Sequence, residues 1–254
     1  MESSINNMVN RMATILSGNN PSIYLFGSVV LDDFRLGWSD IDIICLAEEV
    51  LSEEQAQVLV GLRQTLSKEY PENVYYRLFE GGILSLSAFL NKASDRAVYW
   101  GTRGQRITDA YDLDPFAKIE IKDSGRLLFG RDFKDKISYP TENEIKSAVE
   151  NHYQVIRRYA RKTNRSVTSA GWLFDIARCL YTLRTGAIIA KTDAGEWAIG
   201  ENLVPDTKIM KRAVEIRKNP NYYKTDEDTL NWLATLGPYI QRFADVLENQ
   251  LFDK

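Results

Sequence analysis

The stretch Ser22-Ile23-Tyr24-Leu25-Phe26-Gly27-Ser28, with Asp40-Ile41-Asp42 a short distance downstream, decides how this 254-residue chain is interpreted. The apolar run predicts a short strand, Gly27-Ser28 predicts a tight turn, and Asp40-Ile41-Asp42 predicts the start of a second strand. Because alternate side chains of a strand share a face, both Asp side chains are expected to point the same way while Ile41 points into the core. Two neighbouring carboxylates repel each other unless a cation lies between them.

These residues together indicate a site for Mg²⁺ and a nucleoside triphosphate. Mg²⁺ typically binds one or two protein carboxylates plus the phosphates of a substrate. Gly27 lets the backbone approach a phosphate, Ser28 adds a hydroxyl donor, and a helix that followed the turn would direct its N-terminus at the same anion. Ser39, next to the first carboxylate, is assigned to nucleotide binding with Gly27 and Ser28. Burying Asp42 in so apolar a strand would be costly without a partner ion.

The order of Gly-Ser, a short gap and D-x-D resembles the nucleotidyltransferase superfamily that includes DNA polymerase β and the antibiotic nucleotidyltransferases. The phrase Leu25-Phe26-Gly27-Ser28 with Trp38-Ser39-Asp40-Ile41-Asp42 is most similar to the streptomycin/spectinomycin adenylyltransferases, with a slightly longer gap here. That resemblance implies transfer of AMP from ATP to a hydroxyl of an aminoglycoside-type antibiotic, with release of pyrophosphate and resistance as the outcome. It implies Mg²⁺ as cofactor, held by Asp40 and Asp42, and ATP as substrate.

The resemblance also implies a third carboxylate. Arg77-Leu78-Phe79-Glu80 is similar to the R-x-x-E of the third strand in those enzymes, which makes Glu80 the general base for the acceptor hydroxyl and a metal neighbour. Gly81-Gly82 stand where that family has β-branched residues. The alternative interpretation is an exposed Glu80 at a hairpin turn. From residues alone, Val74–Glu80 and Ile83–Phe89 predict either a hairpin or one long bulged strand.

A boundary is predicted at Pro140, where Thr141 and Glu144 form the pattern of a capping box and only helical patterns follow. The fold class is therefore α+β. A nucleotidyltransferase domain with a small mixed sheet and flanking helices is expected over residues 1–139. A helical acceptor-binding domain is expected over residues 140–254, with helices near 141–163, 167–185, 206–218 and 226–251. In the family that the chain resembles, a cleft between such domains holds the substrates.

Two stretches of the second half resemble the streptomycin/spectinomycin adenylyltransferases as well. Ala177–Gly186 is close to their A-R-x-W-Y-T-x-x-T-G, but Leu180 stands in place of a Trp associated with the antibiotic pocket. Lys191–Ala198 is similar to their K-D-x-A-x-[DE]-W-A. The change at Leu180 implies an acceptor different from streptomycin with the chemistry unchanged.

Candidate acceptor contacts follow from the chemistry of an aminoglycoside, which is a polycation rich in hydroxyls and needs acidic and aromatic partners. The candidates are Asp175, Asp193 and Glu196, with Trp172 and Trp197 as walls. The alternatives are first-turn helix acids and core tryptophans. The basic cluster Lys208, Lys211 and Arg212 is a candidate for contact with the triphosphate, with a solvated helix face as the alternative.

Composition restricts the partners. A net charge of −3 and a pI of about 5.4 argue against a general nucleic-acid binder. No apolar run approaches membrane-spanning length and no leader pattern is visible, so neither a membrane nor export is expected. Cys45 and Cys179 lie in apolar runs and are expected to be buried thiols in a reducing cytoplasm. The single His152 argues against histidine-based triads and metal sites. The oligomeric state is left open.

The expected partners are thus ATP and a cationic, hydroxylated small molecule. One alternative keeps the chemistry but takes a protein, a nucleotide or another small-molecule hydroxyl as acceptor. A further alternative is a degenerate, non-catalytic nucleotide-binding module. The intact Gly-Ser and D-x-D argue against that module. Gly81-Gly82 next to Glu80 leave it as an alternative, because they depart from the family pattern beside the proposed general base.

Overall fold

The computed structural model of the chain describes residues 1–101, 104–109 and 111–252. It divides into two compact units. The first comprises Met1–Val30 and Asp40–Tyr139, and the second comprises Leu31–Ser39 and Pro140–Lys254. The connector Leu31–Ser39, which lies in sequence between Gly27-Ser28 and Asp40, thus belongs with the C-terminal helices, a placement that the sequence did not predict.

The first unit is built on a mixed sheet whose strands, within the described residues, are β1 (Ser22–Phe26), β2 (Ile41–Ala47), β3 (Phe79–Ser85), β4 (Ala97–Gly101), β5 (Gly104–Thr108) and β6 (Arg126–Phe129). The strand order is β5-β4-β3-β2-β1-β6. The pair β2–β3 is parallel and the other pairs are antiparallel. The helices of this unit are α1 (Glu2–Ile15), α2 (Glu53–Glu69), α3 (Leu86–Asn91) and α4 (Pro115–Ser124).

The sheet is buried on both faces, which explains why β1 and β2 read as nearly continuous apolar runs rather than alternating ones. On one face, Tyr24, Ile44 and Leu84 share a core cluster with Phe89 of α3 and Ile121 of α4. On the other, α2 lies against β4 and β5, where the indole N–H of Trp100 donates to the carbonyl of Leu59 at 3.2 Å. Ser52 and Gln55 form a capping box at the start of α2.

The predictions around Gly81-Gly82 were only partly right. Val74–Arg77 is a 3₁₀ turn, β3 runs straight through both glycines, and Leu86 begins α3. Gly81 has φ +141°, and a Cβ there would overlap the carbonyl oxygen of Ile43 on the neighbouring strand. Only glycine tolerates that backbone conformation and so close an approach.

The second unit consists of helices, and Thr141 with Glu144 forms the predicted capping box at its start. The predicted helix 226–251 is two helices. The second begins at Gly237, and Pro238 lies in its first turn, where the missing N–H of proline costs no hydrogen bond. A helix at Lys191–Gly200 was not among the predicted segments. The helices are α5 (Glu142–Tyr159), α6 (Gly171–Thr185), α7 (Lys191–Gly200), α8 (Thr207–Lys218), α9 (Pro220–Tyr223), α10 (Glu227–Leu233) and α11 (Gly237–Leu251).

The predicted fold class, an α+β unit with a small mixed sheet followed by a helical unit, is confirmed. Among the described residues, no helix combines the length and apolar character needed to cross a membrane.

Candidate active site

The Gly-Ser turn and the D-x-D strand meet. Phe26, the last residue of β1, is paired with Asp42 of β2, so the chain turns at Gly27 directly beside the Asp42 side chain. Gly27 has φ +69°, and a Cβ there would stand 2.8 Å from Cγ of Asp42 and overlap its Oδ2. The Ser28 hydroxyl donates to the backbone carbonyl of Asp40 at 3.4 Å. The turn therefore contacts both Asp residues: Gly27 lies beside the Asp42 side chain, and Ser28 binds the Asp40 backbone.

The element after the turn is shorter than an α-helix. Gly27–Val29 is a single 3₁₀ turn, too short to contribute a helix dipole. Any anion at this place would depend on the backbone of the turn and on the Ser28 hydroxyl, rather than on a helix N-terminus.

Glu80 lies opposite Asp42 in the parallel β2–β3 pair, so the two carboxylates stand side by side on one face of the sheet. Burial and the neighbouring charge of Asp40 raise the pKa of Glu80 to about 7, and the cation of Arg63 limits the rise. Asp40, Asp42 and Glu80 are thus neighbours in the first unit. A carboxyl group whose pKa lies near neutrality is well suited to accept a proton.

Arg63 also lies near these carboxylates, and the sequence did not predict it. It lies on α2, and its Nη2 donates to the carbonyl of Arg77 at 2.9 Å. Burial lowers the pKa of its guanidinium, while the charges of Glu80 and Asp40 oppose that fall. Its buried Nε has no hydrogen-bond partner in the described part of the chain. In sequence it is only one Arg on an amphipathic helix, which gives no signal.

The donor chemistry of this site fits Mg²⁺. Carboxylate oxygens are the ligands that hard cations prefer. Burial, and after it the charge of Asp40, raises the pKa of Glu80, and a cation would relieve the repulsion between these two carboxylates. Among residues 1–101, 104–109 and 111–252, no three His, Cys, Asp or Glu side chains converge as a ready-made metal site. The ligand set Asp40, Asp42 and Glu80 therefore stays a prediction, and substrate phosphates would have to complete it.

The connector of the second unit is fixed by a buried ionic network. Asp33 is 3% exposed and Arg217 of α8 is 2% exposed. Arg217 donates to Asp33 Oδ2 from Nη2 at 2.6 Å and from Nε at 3.2 Å, and the Thr192 hydroxyl donates to Asp33 Oδ1 at 2.5 Å. Ser39, predicted to contact nucleotide, is buried and its Oγ accepts from the backbone N–H of Arg35 at 3.0 Å.

Two of the predicted acceptor contacts lie in one cavity of the second unit. Trp172 and Asp175 line a space of about 420 Å³ together with Lys162, Lys191 and Trp38, among others. Asp175 pairs with Lys191 at 2.8 Å. Burial alone would raise the pKa of Asp175, but Lys191 and other nearby positive charges outweigh it and hold that pKa below its usual range. The carboxylate is thus ionised and already partnered.

The other predicted acceptor contacts lie outside this cavity lining. Trp197 packs edge-on against Tyr181, with ring centroids 5.2 Å apart, and Arg184 lies over its ring. Glu196 pairs with Lys218 at 2.5 Å. Asp193 lies at the surface, and its partial desolvation together with the charges of Asp33 and Glu196 raises its pKa.

The predicted phosphate contacts on α8 are surface residues. Lys208 and Lys211 are exposed, and the Arg212 guanidinium stacks over Trp232 at 4.5 Å from its ring centroid. Their role in nucleotide binding stays a prediction. Leu180, at the position of the family's Trp, has no exposed surface and belongs to the core of the helical unit.

Gly27→Ala should be one of the most damaging small changes in the site. A Cβ at φ +69° adds backbone strain, which costs about 1–3 kcal/mol of unfolding free energy, and it also displaces the Asp42 carboxylate. We expect calorimetric binding of Mg-ATP to be lost. Gly186→Ala is the matched control, because Gly186 has φ +71° but open space around its Cβ position. It should lose similar stability and keep Mg-ATP binding. Wild-type binding by Gly27→Ala would contradict the site.

Comparison with known proteins gives two family matches. The profile of the Nucleotidyltransferase domain matches residues 5–87, which include Gly27, Ser28, Asp40, Asp42 and Glu80. The profile of the Aminoglycoside adenylyltransferase, C-terminal domain, matches residues 140–241. Together they account for most of the chain. No curated protein sequence matches it.

Among solved structures, the chain is similar to the spectinomycin adenyltransferase AAD(9) from Enterococcus faecialis, crystallised with ATP and spectinomycin. The TM-score is 0.64 at 15% identity, over 95% of this chain and 97% of that one. A toxin–antitoxin structure with AMP-PNP overlaps 60% of this chain and 90% of that chain, at 17% identity and a TM-score of 0.29. That second similarity is too low to carry an argument.

Proposed function

Because the chain is a nucleotidyltransferase of the aminoglycoside adenylyltransferase type, we propose that it transfers AMP from ATP to a hydroxyl of an aminoglycoside-type antibiotic. Pyrophosphate is the second product, and loss of drug activity is the biological result. The observation that carries the proposal is the contact of the Asp42 carboxylate with the backbone of Gly27, opposite Glu80 on the next strand.

Each residue of the site has a role in this reaction. Asp40 and Asp42 would hold Mg²⁺, which neutralises triphosphate charge and is worth several kcal/mol of transition-state stabilisation when bound. The Gly27-Ser28 turn brings backbone and a hydroxyl to a phosphate. Glu80 accepts the proton of the attacking hydroxyl, and Arg63 balances the negative charge next to it. Positioning and electrostatics supply most of the catalysis in such transfers.

The structure of AAD(9) with ATP and spectinomycin supports the choice of ATP and of an aminoglycoside-type acceptor. The two buried thiols, Cys45 and Cys179, together with the use of ATP, favour a reducing cytoplasmic setting for the reaction.

One observation favours a less cationic acceptor as a second candidate. In the cavity that holds Trp172 and Asp175, two lysines accompany one carboxylate, and that carboxylate is already paired with Lys191. A strongly cationic drug would gain little there, because its charge would compete with Lys191. A neutral or weakly basic hydroxylated molecule would bind without that competition.

An acceptor screen tests the proposal. The protein is incubated with Mg-ATP and streptomycin, spectinomycin, other aminoglycosides, nucleotides or neutral hydroxylated compounds, and products are read by mass spectrometry. We expect an acceptor whose mass rises by one AMP group, with stoichiometric pyrophosphate. Glu80→Gln should bind Mg-ATP but form product at least about 10²-fold more slowly. Binding of Mg-ATP without transfer to any acceptor would favour the non-catalytic module and overturn the proposal.

A further inference from the structure

Gly82, in the middle of β3, makes room for an aromatic ring. Gly82 lies two residues beyond Glu80, and a Cβ on Gly82 would stand 2.8 Å from Cδ1 of Tyr111 and closer still to Cε1. The space that a side chain would fill at this position is therefore occupied by the Tyr111 ring. At Gly81 and Gly82 the sequence departs from the β-branched residues of the enzymes it resembles.

The Tyr111 ring lies on the same face of the sheet as the carboxylates. Glu80 is paired with Asp42 and Gly82 with Ile44, and Ile44 and Tyr111 both belong to the core that α3 and α4 cover. Burial raises the pKa of the Tyr111 phenol, and the charges of Asp42 and Glu80 raise it further. The phenol is therefore protonated at neutral pH and is a hydrogen-bond donor.

Tyr99 extends the aromatic surface. It is paired with Gly82 on the β4 side, and its ring centroid is 6.3 Å from that of Tyr111. Arg106 lies over the Tyr99 ring at 4.2 Å. Both rings are half-buried, and within the described residues the Tyr111 hydroxyl makes no hydrogen bond. A half-buried phenol normally has a partner for its polar end.

We propose that Tyr111 is an acceptor-contacting residue: its ring is a wall for the apolar face of a hydroxylated ring, and its hydroxyl donates to an acceptor oxygen beside the hydroxyl that Glu80 deprotonates. The inference rests on the proposed function and deepens it. The class of acceptor is a saturated, carbohydrate-like ring, because such a ring has one face of C–H groups for an aromatic and a rim of oxygens for a phenol.

Steady-state kinetics of two variants, with the acceptor found in the screen, test the assignment. Tyr111→Phe removes only the hydroxyl. It should raise the acceptor KM about fivefold to tenfold, which is the loss of affinity expected when one hydrogen bond is removed. Tyr111→Leu also removes the ring and should raise that KM further. In both variants the KM for ATP should stay within about twofold, since the ring faces the acceptor. Thermal unfolding shows that each variant is folded.

The matched control is Tyr139→Phe, which removes an exposed phenol of the same unit, hydrogen-bonded to Asp123. It should leave both KM values unchanged. If the wild type transfers AMP and Tyr111→Phe keeps the wild-type acceptor KM, or changes only the ATP KM, the assignment of Tyr111 is wrong and the proposed function stands. If the wild type modifies no acceptor, the proposed function and this inference fail together.

Discussion

Asp42→Asn is expected to lower turnover by about a thousandfold while the protein stays folded. The substitution keeps the shape of the side chain at the Gly27 contact but removes the charge that would hold a divalent cation on the triphosphate. Loss of that interaction corresponds to roughly 4 kcal/mol of transition-state stabilisation. The measurement is pyrophosphate release from Mg-ATP with the acceptor found in the screen.

Stability gives an independent readout of the same variant. Asp42, Asp40 and Glu80 repel one another in the metal-free protein, so removing one charge should leave the free energy of unfolding unchanged or raise it. The matched control is Asp112→Asn, a carboxylate of the same unit that is 74% exposed and paired with Lys118. It should turn over at the wild-type rate. A wild-type rate in Asp42→Asn would show that these carboxylates do not hold the metal.

Breaking the buried pair of the helical unit is expected to have the largest effect on stability. Asp33→Asn leaves the buried charge of Arg217 without its ion-pair partner. Arg217→Met leaves Asp33 with the hydrogen bonds from Thr192 and with Arg35, which is partly exposed and 3.7 Å away. Removing one partner of a buried ion pair costs about 3–5 kcal/mol of unfolding free energy. Denaturant unfolding measures this loss.

Two comparisons make that test specific. The double variant Asp33→Asn/Arg217→Met should be more stable than the sum of the single losses predicts, because it leaves no unpaired buried charge. Glu227→Gln breaks the exposed Arg165–Glu227 pair of the same unit and should cost less than about 1 kcal/mol. If the two pairs lose equal free energy of unfolding, or if the losses of the two single variants simply add in the double variant, burial does not make the Asp33–Arg217 pair more important for stability.

The pH dependence of the same pair has a definite sign. Burial alone would raise the pKa of Asp33, but Arg217 and the hydrogen bond from Thr192 outweigh it and hold the pKa below its usual range. The pair therefore contributes its full stability above the unfolded pKa of about 3.9 and loses it as the pH falls through the lower, folded value. The stability gap between wild type and Asp33→Asn should be constant near pH 7 and narrow below about pH 4.

The sequence predicted the parts of the site that depend on neighbours in the chain. Gly27-Ser28 predicts a turn, and Asp40-Ile41-Asp42 predicts side chains that alternate between the two faces of a strand. The capping box of Thr141 and Glu144 likewise involves residues only three apart. These features need no knowledge of distant contacts. In the structure Gly27 lies against Asp42, and Asp42 is paired with Glu80, whose assignment came from the family resemblance rather than from a local pattern.

The sequence could not predict features that depend on contacts between residues far apart in the chain. Asp33 looks like an ordinary loop acid, and its burial depends on Arg217, 184 residues away in the chain. Gly81-Gly82 look like a break in a strand because glycine has low strand propensity. The close approach of the Ile43 carbonyl to Gly81 and of the Tyr111 ring to Gly82 accounts for glycine at both positions. Arg63 and Tyr111 carry no motif, so only the fold shows that they lie next to the carboxylates.

The network that holds Leu31–Ser39 limits how this enzyme can be recombined. A fragment ending at Tyr139 would retain Asp33 but lack both Thr192 and Arg217. The Asp33 carboxylate, which is buried and hydrogen-bonded in the whole chain, would lose these partners and become exposed to solvent or remain buried without them. A chimera made by exchanging C-terminal halves at Pro140 would pair one parent's connector with another parent's α7 and α8. Functional hybrids should therefore need three crossovers, so that the nine-residue connector is inherited with the helices rather than with the sheet that flanks it.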